Sequence, residues 1–170
     1  PLSPNAAAKL DQLRTVSTGT ISMAFRRDQI EHPLDGFGVV IPTKERRKIN
    51  AITWTSTKFE QRAPADHVLL RVFFGGVRTP ELMHKEDDEV LATARQELSS
   101  LMGVNAEPLF HRVYRWWDAQ PQYDVGHLDR VAAIEAALPP NLFVAGCPYG
   151  GVGIPDCVRQ GQEAAEKVIV

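Results

Sequence analysis

Four glycines, Gly146, Gly150, Gly151 and Gly153, cluster near the end of the 170-residue sequence, between a short apolar run at 142–145 and a helical pattern opened by Pro155. Strand, glycine-rich turn, helix is the predicted order. Such a turn gathers bare backbone N–H groups at the positive end of a helix, where an electron-rich ligand atom can be held without a charged side chain. The stretch therefore reads as an anion or cofactor cradle, or as a connection whose glycines serve only tight turning. Its spacing is not G-x-G-x-x-G, and no G-x-x-x-x-G-K-[ST] occurs in the chain.

Other groups with chemical potential are sparse. Cys147 and Cys157 flank the turn, ten positions apart. Without a C-x-x-C or paired histidines they make no zinc site, and two thiols make no disulfide framework. They are expected to be free and partly buried, with Cys157 in the first turn of a helix whose dipole lowers a thiol pKa. Histidines 32, 67, 84, 111 and 127 show no H-x-x-x-H or H-E-x-x-H pattern, so no metal site is expected and each reads as a surface or capping residue. No G-x-S-x-G elbow supports a serine hydrolase. Asp87 and Asp88 are neighbours at a helix start and do not face each other, so they compensate the dipole and form no acid–base pair. Trp116-Trp117, at the end of an expected strand, is either a core plug or a wall for a planar ring. A cradle beside an aromatic wall, with no nucleophile and no metal, suits redox chemistry carried by a cofactor.

These residues need a framework, and the composition supplies one. At 44% hydrophobic and 24% charged the chain is globular with a real core. A net charge of -2 gives no footprint for nucleic acid, and no apolar run approaches the roughly 20 residues of a bilayer helix. The first residues lack the parts of a signal peptide, and the initial proline suggests an excised piece. An α+β fold is expected, with a mixed, largely antiparallel sheet. Periodicity predicts a helix near 6–13, strands at 18–25, 38–41, 51–56, 67–74 and 109–116, and helices at 86–102 and 127–138. The 67–74 run is apolar on both faces and should be central. The charged run 44–48 reads as a solvated turn and 118–123 as irregular. Residues 1–138 form one domain part. The unit 139–170, with a strand at 142–145, would complete another.

The stretch from Val144 through Gly146-Cys147-Pro148-Tyr149-Gly150-Gly151-Val152-Gly153-Ile154-Pro155-Asp156-Cys157, with Gly161 and Ala164-Ala165, closely resembles the C-terminal flavin motif of oxygen-dependent protoporphyrinogen oxidases, FAD enzymes of the amine-oxidase superfamily. Further matches follow in order. They are Gly36-Phe37-Gly38 with Pro42; Phe59, Arg62-Ala63-Pro64 and 69–76 ending Phe74-Gly75-Gly76; and Arg115-Trp116 with Pro121-Gln122-Tyr123, Gly126 and His127. Nearly the whole chain is covered.

The resemblance implies oxidation of protoporphyrinogen IX to protoporphyrin IX, with O2 regenerating the flavin, in haem synthesis. It implies that Gly151, Val152, Gly153 and Ile154 lie under the FAD ring with N–H groups near its pyrimidine edge, that Trp116 packs near the ring, and that Phe73 lines the substrate chamber. None of these is an acid, base or nucleophile, so catalysis would be positioning. Cys147 departs from the asparagine of many relatives. By the same likeness the chain is the C-terminal portion of a cytoplasmic enzyme. Peripheral attachment to the inner membrane would come through the absent N-terminal part, and the enzyme could be a homodimer. Alone, the 170 residues are expected to bind little FAD and turn over nothing. The alternatives are another flavin amine-oxidase type, such as a phytoene desaturase-like enzyme, or a non-catalytic module binding a ligand or partner.

Overall fold

Two compact units make up the chain in a computed structural model that describes residues 2–169: one comprises Ser17–Trp117, the other the residues before 17 together with those after 117. The fold is α+β, as expected.

The first unit is organised by a five-stranded sheet. Its strands are β1 (Thr15–Arg26), β2 (Gly38–Val40), β3 (Ala51–Trp54), β4 (His67–Gly75) and β5 (Phe110–Pro121), in the order β2-β3-β4-β1-β5. β4 is the central strand, as its two-sided apolar run requires. It pairs antiparallel with β1 and with β3, and β2 pairs antiparallel with β3. Register sets the faces. Ile21, Met23 and Phe25 stand opposite Val72, Leu70 and Val68, while Ile52 and Trp54 stand opposite Val72 and Leu70. All eight are buried and share one core. Because side chains alternate along a strand, the opposite face carries Thr20, Ser22 and Ala24 of β1 beside Phe73, Arg71 and Leu69 of β4.

Helix α3 (Asp87–Met102) supplies the rest of that core. Asp87, Asp88 and Glu89 occupy its first turn, and Val90, Ala94, Leu98 and Met102 recur at helical spacing and are buried in the same cluster. Each fully buried large side chain contributes about 1.5–3 kcal/mol. Gly103 ends the helix in the left-handed region, its N–H bonding to the Ser99 carbonyl.

Three expectations are corrected here. Strand β3 stops at Trp54, and Thr55–Lys58 forms a single helical turn, α2. β5 continues through Pro121 where an irregular segment was expected; it passes Asp118, whose φ of 46° marks a local irregularity the strand absorbs. The basic run 44–48 is not merely solvated. Arg47 donates to Glu97 Oε2 at 2.9 Å and the Lys48 N–H donates to Glu97 Oε1 at 3.0 Å, which lets a glutamate sit buried on α3.

The second unit is helical: α1 (Pro4–Leu10), α4 (His127–Ala137), the single turn α5 (Cys147–Gly150) and α6 (Ile154–Ile169). Ser3 caps α1 by accepting from the Ala6 N–H, Pro4 takes the first helical position, and the Ser3 hydroxyl donates to the Ala137 carbonyl at 2.9 Å. Residues 142–145 are not a strand. No strand pairs with them among the described residues, and an apolar run with no ladder partner stays irregular. Leu142, Phe143 and Val144 line a pocket of about 460 Å³ with Val131, Leu138, Tyr149 and Gln160.

Candidate functional site

The glycine-rich loop is held from inside by one side chain. Gln160, on the second turn of α6, is buried, and its Oε1 accepts from the Gly146 N–H at 3.2 Å and the Gly150 N–H at 3.1 Å. Its Nε2 donates to the Asp156 carbonyl at 3.2 Å. Gly150 lies so close that an added Cβ would stand 2.8 Å from Gln160 Cδ. The turn also contains α5, so it is partly helical and not a simple open loop. A further brace comes from Tyr123, whose hydroxyl donates to the Cys147 carbonyl. The Tyr123 ring stacks on His127, with centroids 4.1 Å apart. His127 is buried, correcting its expected surface or capping role, and among the described residues neither ring nitrogen has a hydrogen-bond partner.

Gly151 and Gly153 lie against Asp156, in the first turn of α6. A Cβ at either position would stand 2.7 or 2.9 Å from Asp156 Oδ2, and Gly151 has a φ of 132°, which a side chain would strain. Thus the carboxylate of Asp156 occupies the positive end of α6 that the bare turn was expected to offer. Arg159 reaches Asp156 Oδ1 at 3.5 Å. Between these glycines Val152 is 51% exposed, and Ile154 at the helix start is 80% exposed. The four predicted residues 151–154 therefore sit together as bare backbone alternating with displayed aliphatic side chains.

Cys147 and Cys157 are free, with their sulfurs 3.5 Å apart. The expected lowering of the Cys157 thiol is not found. Its hydrogen bond with Cys147 and then burial push it up, and the Asp156 carboxylate adds to the same direction.

Phe73 and Trp116 lie in the sheet unit. Phe73 is half-buried on β4, opposite Thr20 of β1 and Ala51 of β3, on the face turned away from the core. Along β5, Val113 packs on the core cluster, and Arg115 bonds to the carbonyls of Met83 and Lys85 and to Asp87 Oδ1. Alternation then turns Tyr114 and Trp116 to the same face as Phe73. The two rings stack with centroids 6.2 Å apart and are half exposed, so Trp116 is no core plug. Trp117 contacts His84 instead, at 5.2 Å. This outer face also carries Arg71, Arg112 and Phe110, all exposed.

Gln160, Asp156 and Tyr123 were not predicted as site residues. Asp156 and Gln160 are part of the helical pattern after Pro155, and no local signal marks a glutamine that accepts from amides ten and fourteen positions back. Among the described residues no group of three or more His, Cys, Asp or Glu side chains could hold a metal, and no helix is long and apolar enough to cross a membrane.

Comparison with known proteins extends these observations. The coproporphyrinogen III oxidase of Bacillus subtilis (strain 168) is 30% identical over 167 residues, covering 96% of this chain and 36% of that protein. Protoporphyrinogen oxidase 2, chloroplastic/mitochondrial, of Arabidopsis thaliana is 31% identical over 166 residues, covering 94% of this chain and 32% of that protein. A crystal structure from Exiguobacterium sp. 255-15, given a provisional protoporphyrinogen oxidase name, superposes with a TM-score of 0.82 at 32% identity, covering 95% of this chain and 36% of that one. The chain thus spans about a third of the length of the curated relatives it matches. The family model for flavin-containing amine oxidoreductases matches residues 1–169, nearly the full sequence, and to that family this chain belongs.

Proposed function

We propose that this chain supplies the C-terminal part of an FAD-dependent oxidase that converts a porphyrinogen to its porphyrin with O2 as acceptor, in haem biosynthesis. The observation that carries the proposal is the alignment of porphyrinogen oxidases along 94–96% of the chain, through both the sheet unit and the glycine-rich loop. The residues present suit a flavin ring. Val152 and Ile154 display apolar surface beside Gly151 and Gly153, which carry no side chains of their own and lie against the Asp156 carboxylate. When bound, the flavin would supply two-electron acceptance. Gly151 to Ile154 in the helical unit would hold it, and in the sheet unit, taken by itself, Trp116, Phe73 and Tyr114 offer an aromatic wall suited to a planar ligand. Arg71 and Arg112 on the same sheet face are suited to carboxylates at the substrate's rim.

The positive end of α6 is already shared with Asp156, so the helix dipole can contribute less to a negative ring edge than an uncompensated terminus would. The assignment of residues 1–138 to a substrate-binding part and 139–170 to a flavin-binding part belongs to the same proposal. By compactness alone, residues 118–138 group with the C-terminal segment.

The test uses the complete polypeptide that contains this chain, loaded with FAD and assayed separately with coproporphyrinogen III and protoporphyrinogen IX. Porphyrin fluorescence should rise well above the autoxidation rate with at least one of them, with hydrogen peroxide released in step. Flavin-loaded protein that oxidises an amine or a polyene and neither porphyrinogen would refute the proposal.

A further inference from the structure

Ten positions of sequence separate Cys147 from Cys157, yet α5 and the first turn of α6 fold back so that the two sulfurs are in contact at 3.5 Å. Both side chains are only partly buried, so small reagents can reach them. The Cys157 thiol also lies 3.6 Å from the Gly151 carbonyl, which places the pair against the stretch 151–154. A disulfide needs its sulfurs at about 2.0 Å, so closure requires an approach of roughly 1.5 Å. The turn between the cysteines contains Gly150, Gly151 and Gly153, and glycine backbone is where a shift of that size is most readily absorbed.

We propose that Cys147 and Cys157 form a reversible dithiol–disulfide site that braces the glycine-rich loop against α6. The oxidant is a hydroperoxide or a small-molecule disulfide. With hydrogen peroxide, one thiol sulfur gives up two electrons as the O–O bond breaks, yielding a sulfenic acid and one water. The second thiol then displaces the sulfenic oxygen, the S–S bond forms, and the oxygen leaves with the thiol proton as a second water. Two thiols and one peroxide thus become one disulfide and two waters. With a small-molecule disulfide, the first thiolate forms a mixed disulfide, and the second closes the internal bond and releases the small thiol. The raised Cys157 thiol pKa makes that sulfur a slower nucleophile at neutral pH and a faster one in base. The site stands whether or not the loop meets a flavin. If it does, the brace acts on the wall that the flavin would face.

The chemistry can be read without any activity assay. Trypsin leaves residues 131–159 as one peptide, since no Lys or Arg lies between Arg130 and Arg159, so both cysteines travel together. The full chain, treated with hydrogen peroxide and in parallel with oxidised glutathione, should lose both titratable thiols. The peptide should become lighter by two hydrogens, and dithiothreitol should restore it. Chymotrypsin, cutting after Tyr149, should leave two fragments joined until reduction. Cys147→Ser and Cys157→Ser should each keep one thiol and give no internal disulfide. Amide exchange at Gly150 and Gly151 should slow several-fold on oxidation of the wild type. Disulfides only between chains, sulfinic or sulfonic acid in place of the bond, or thiols that persist in the wild type under both oxidants would overturn the proposal, and the wild-type masses alone suffice to do so.

Discussion

Removing the Gln160 carboxamide is the most informative perturbation of the loop. In Gln160→Met the side-chain bulk is retained, but the Gly146 and Gly150 N–H groups lose the oxygen they share at 3.2 and 3.1 Å, and the Asp156 carbonyl loses a donor. Each hydrogen bond contributes about 0.5–1.5 kcal/mol net. Gly150 is exposed and Gly146 half-buried, so water replaces part of what is lost and the lower end applies to each. The sum is roughly 1.5 kcal/mol, placed on local opening of 146–153 more than on global unfolding. Amide exchange at Gly146 and Gly150 should accelerate about tenfold, since each 1.4 kcal/mol is a factor of ten. Urea unfolding of the same variant separates the local from the global effect. Gln160→Glu keeps an acceptor for both amides and should restore most of the protection. The reasoning fails if both amides exchange within twofold of the wild-type rate in a folded Gln160→Met protein.

The sheet unit offers further tests. Glu97→Leu strands the Lys48 N–H and removes the carboxylate paired with Arg47, which keeps its bond to Ser100 Oγ, and should lower stability by about 1–3 kcal/mol in urea titrations, with Glu97→Gln recovering part because an acceptor remains. Gly19→Ala would set a Cβ 2.3 Å from the buried Phe74 ring, so overpacking should cost about 1–3 kcal/mol, and less in a Phe74→Leu background. Arg14 donates to both oxygens of Asp124, and this hydrogen bonding holds the Asp124 carboxyl below its ordinary range. A carboxyl depressed in the folded state stabilises above its unfolded pKa and loses that contribution as pH falls through the folded one. Asp124→Asn should therefore lower the plateau at neutral pH and flatten the acid limb of a stability–pH curve below about pH 4, where carboxylates titrate, with the slope above pH 7 unchanged.

Local pattern explains which elements could be read in advance. β1 alternates Ile21, Met23 and Phe25 with smaller or polar residues, and α3 repeats Val90, Ala94, Leu98 and Met102, so period alone exposes their buried faces. The apolar run at 142–145 has strand composition, but a strand is defined by its neighbour, and composition cannot say whether one is present. Glu97 and Arg47 meet across fifty positions, and Gln160 reaches back to Gly146. Both are long-range hydrogen bonds whose partners carry no mark of each other in the sequence. The thiol contact is hidden for the same reason. It depends on the single turn α5, and the glycines and proline around it would predict a loop there. The expected Cys157 acidity followed from the helix terminus alone. It was reversed by a second sulfur that only the fold brings near and by burial, with the adjacent Asp156 carboxylate adding to the same direction.

The electrostatics of the loop bear on the choice between a phosphate-binding module and a ring-binding wall. An N-terminal phosphate site works by presenting several unspent N–H donors and a net positive helix end. Here the Gly146 and Gly150 donors are spent on Gln160, the Cys157 N–H is spent on the Gly153 carbonyl, and Pro155 has none to give. The Asp156 carboxylate lies against Gly151 and Gly153, where a phosphate would meet like charge. What the loop does display is apolar surface at Val152 and Ile154. Such surface suits the face of a planar ring, and the like charge at Asp156 disfavours a compact anion. Asp156 and Gln160, two side chains downstream of the glycine-rich stretch, thus support the ring-binding reading proposed above over a phosphate site.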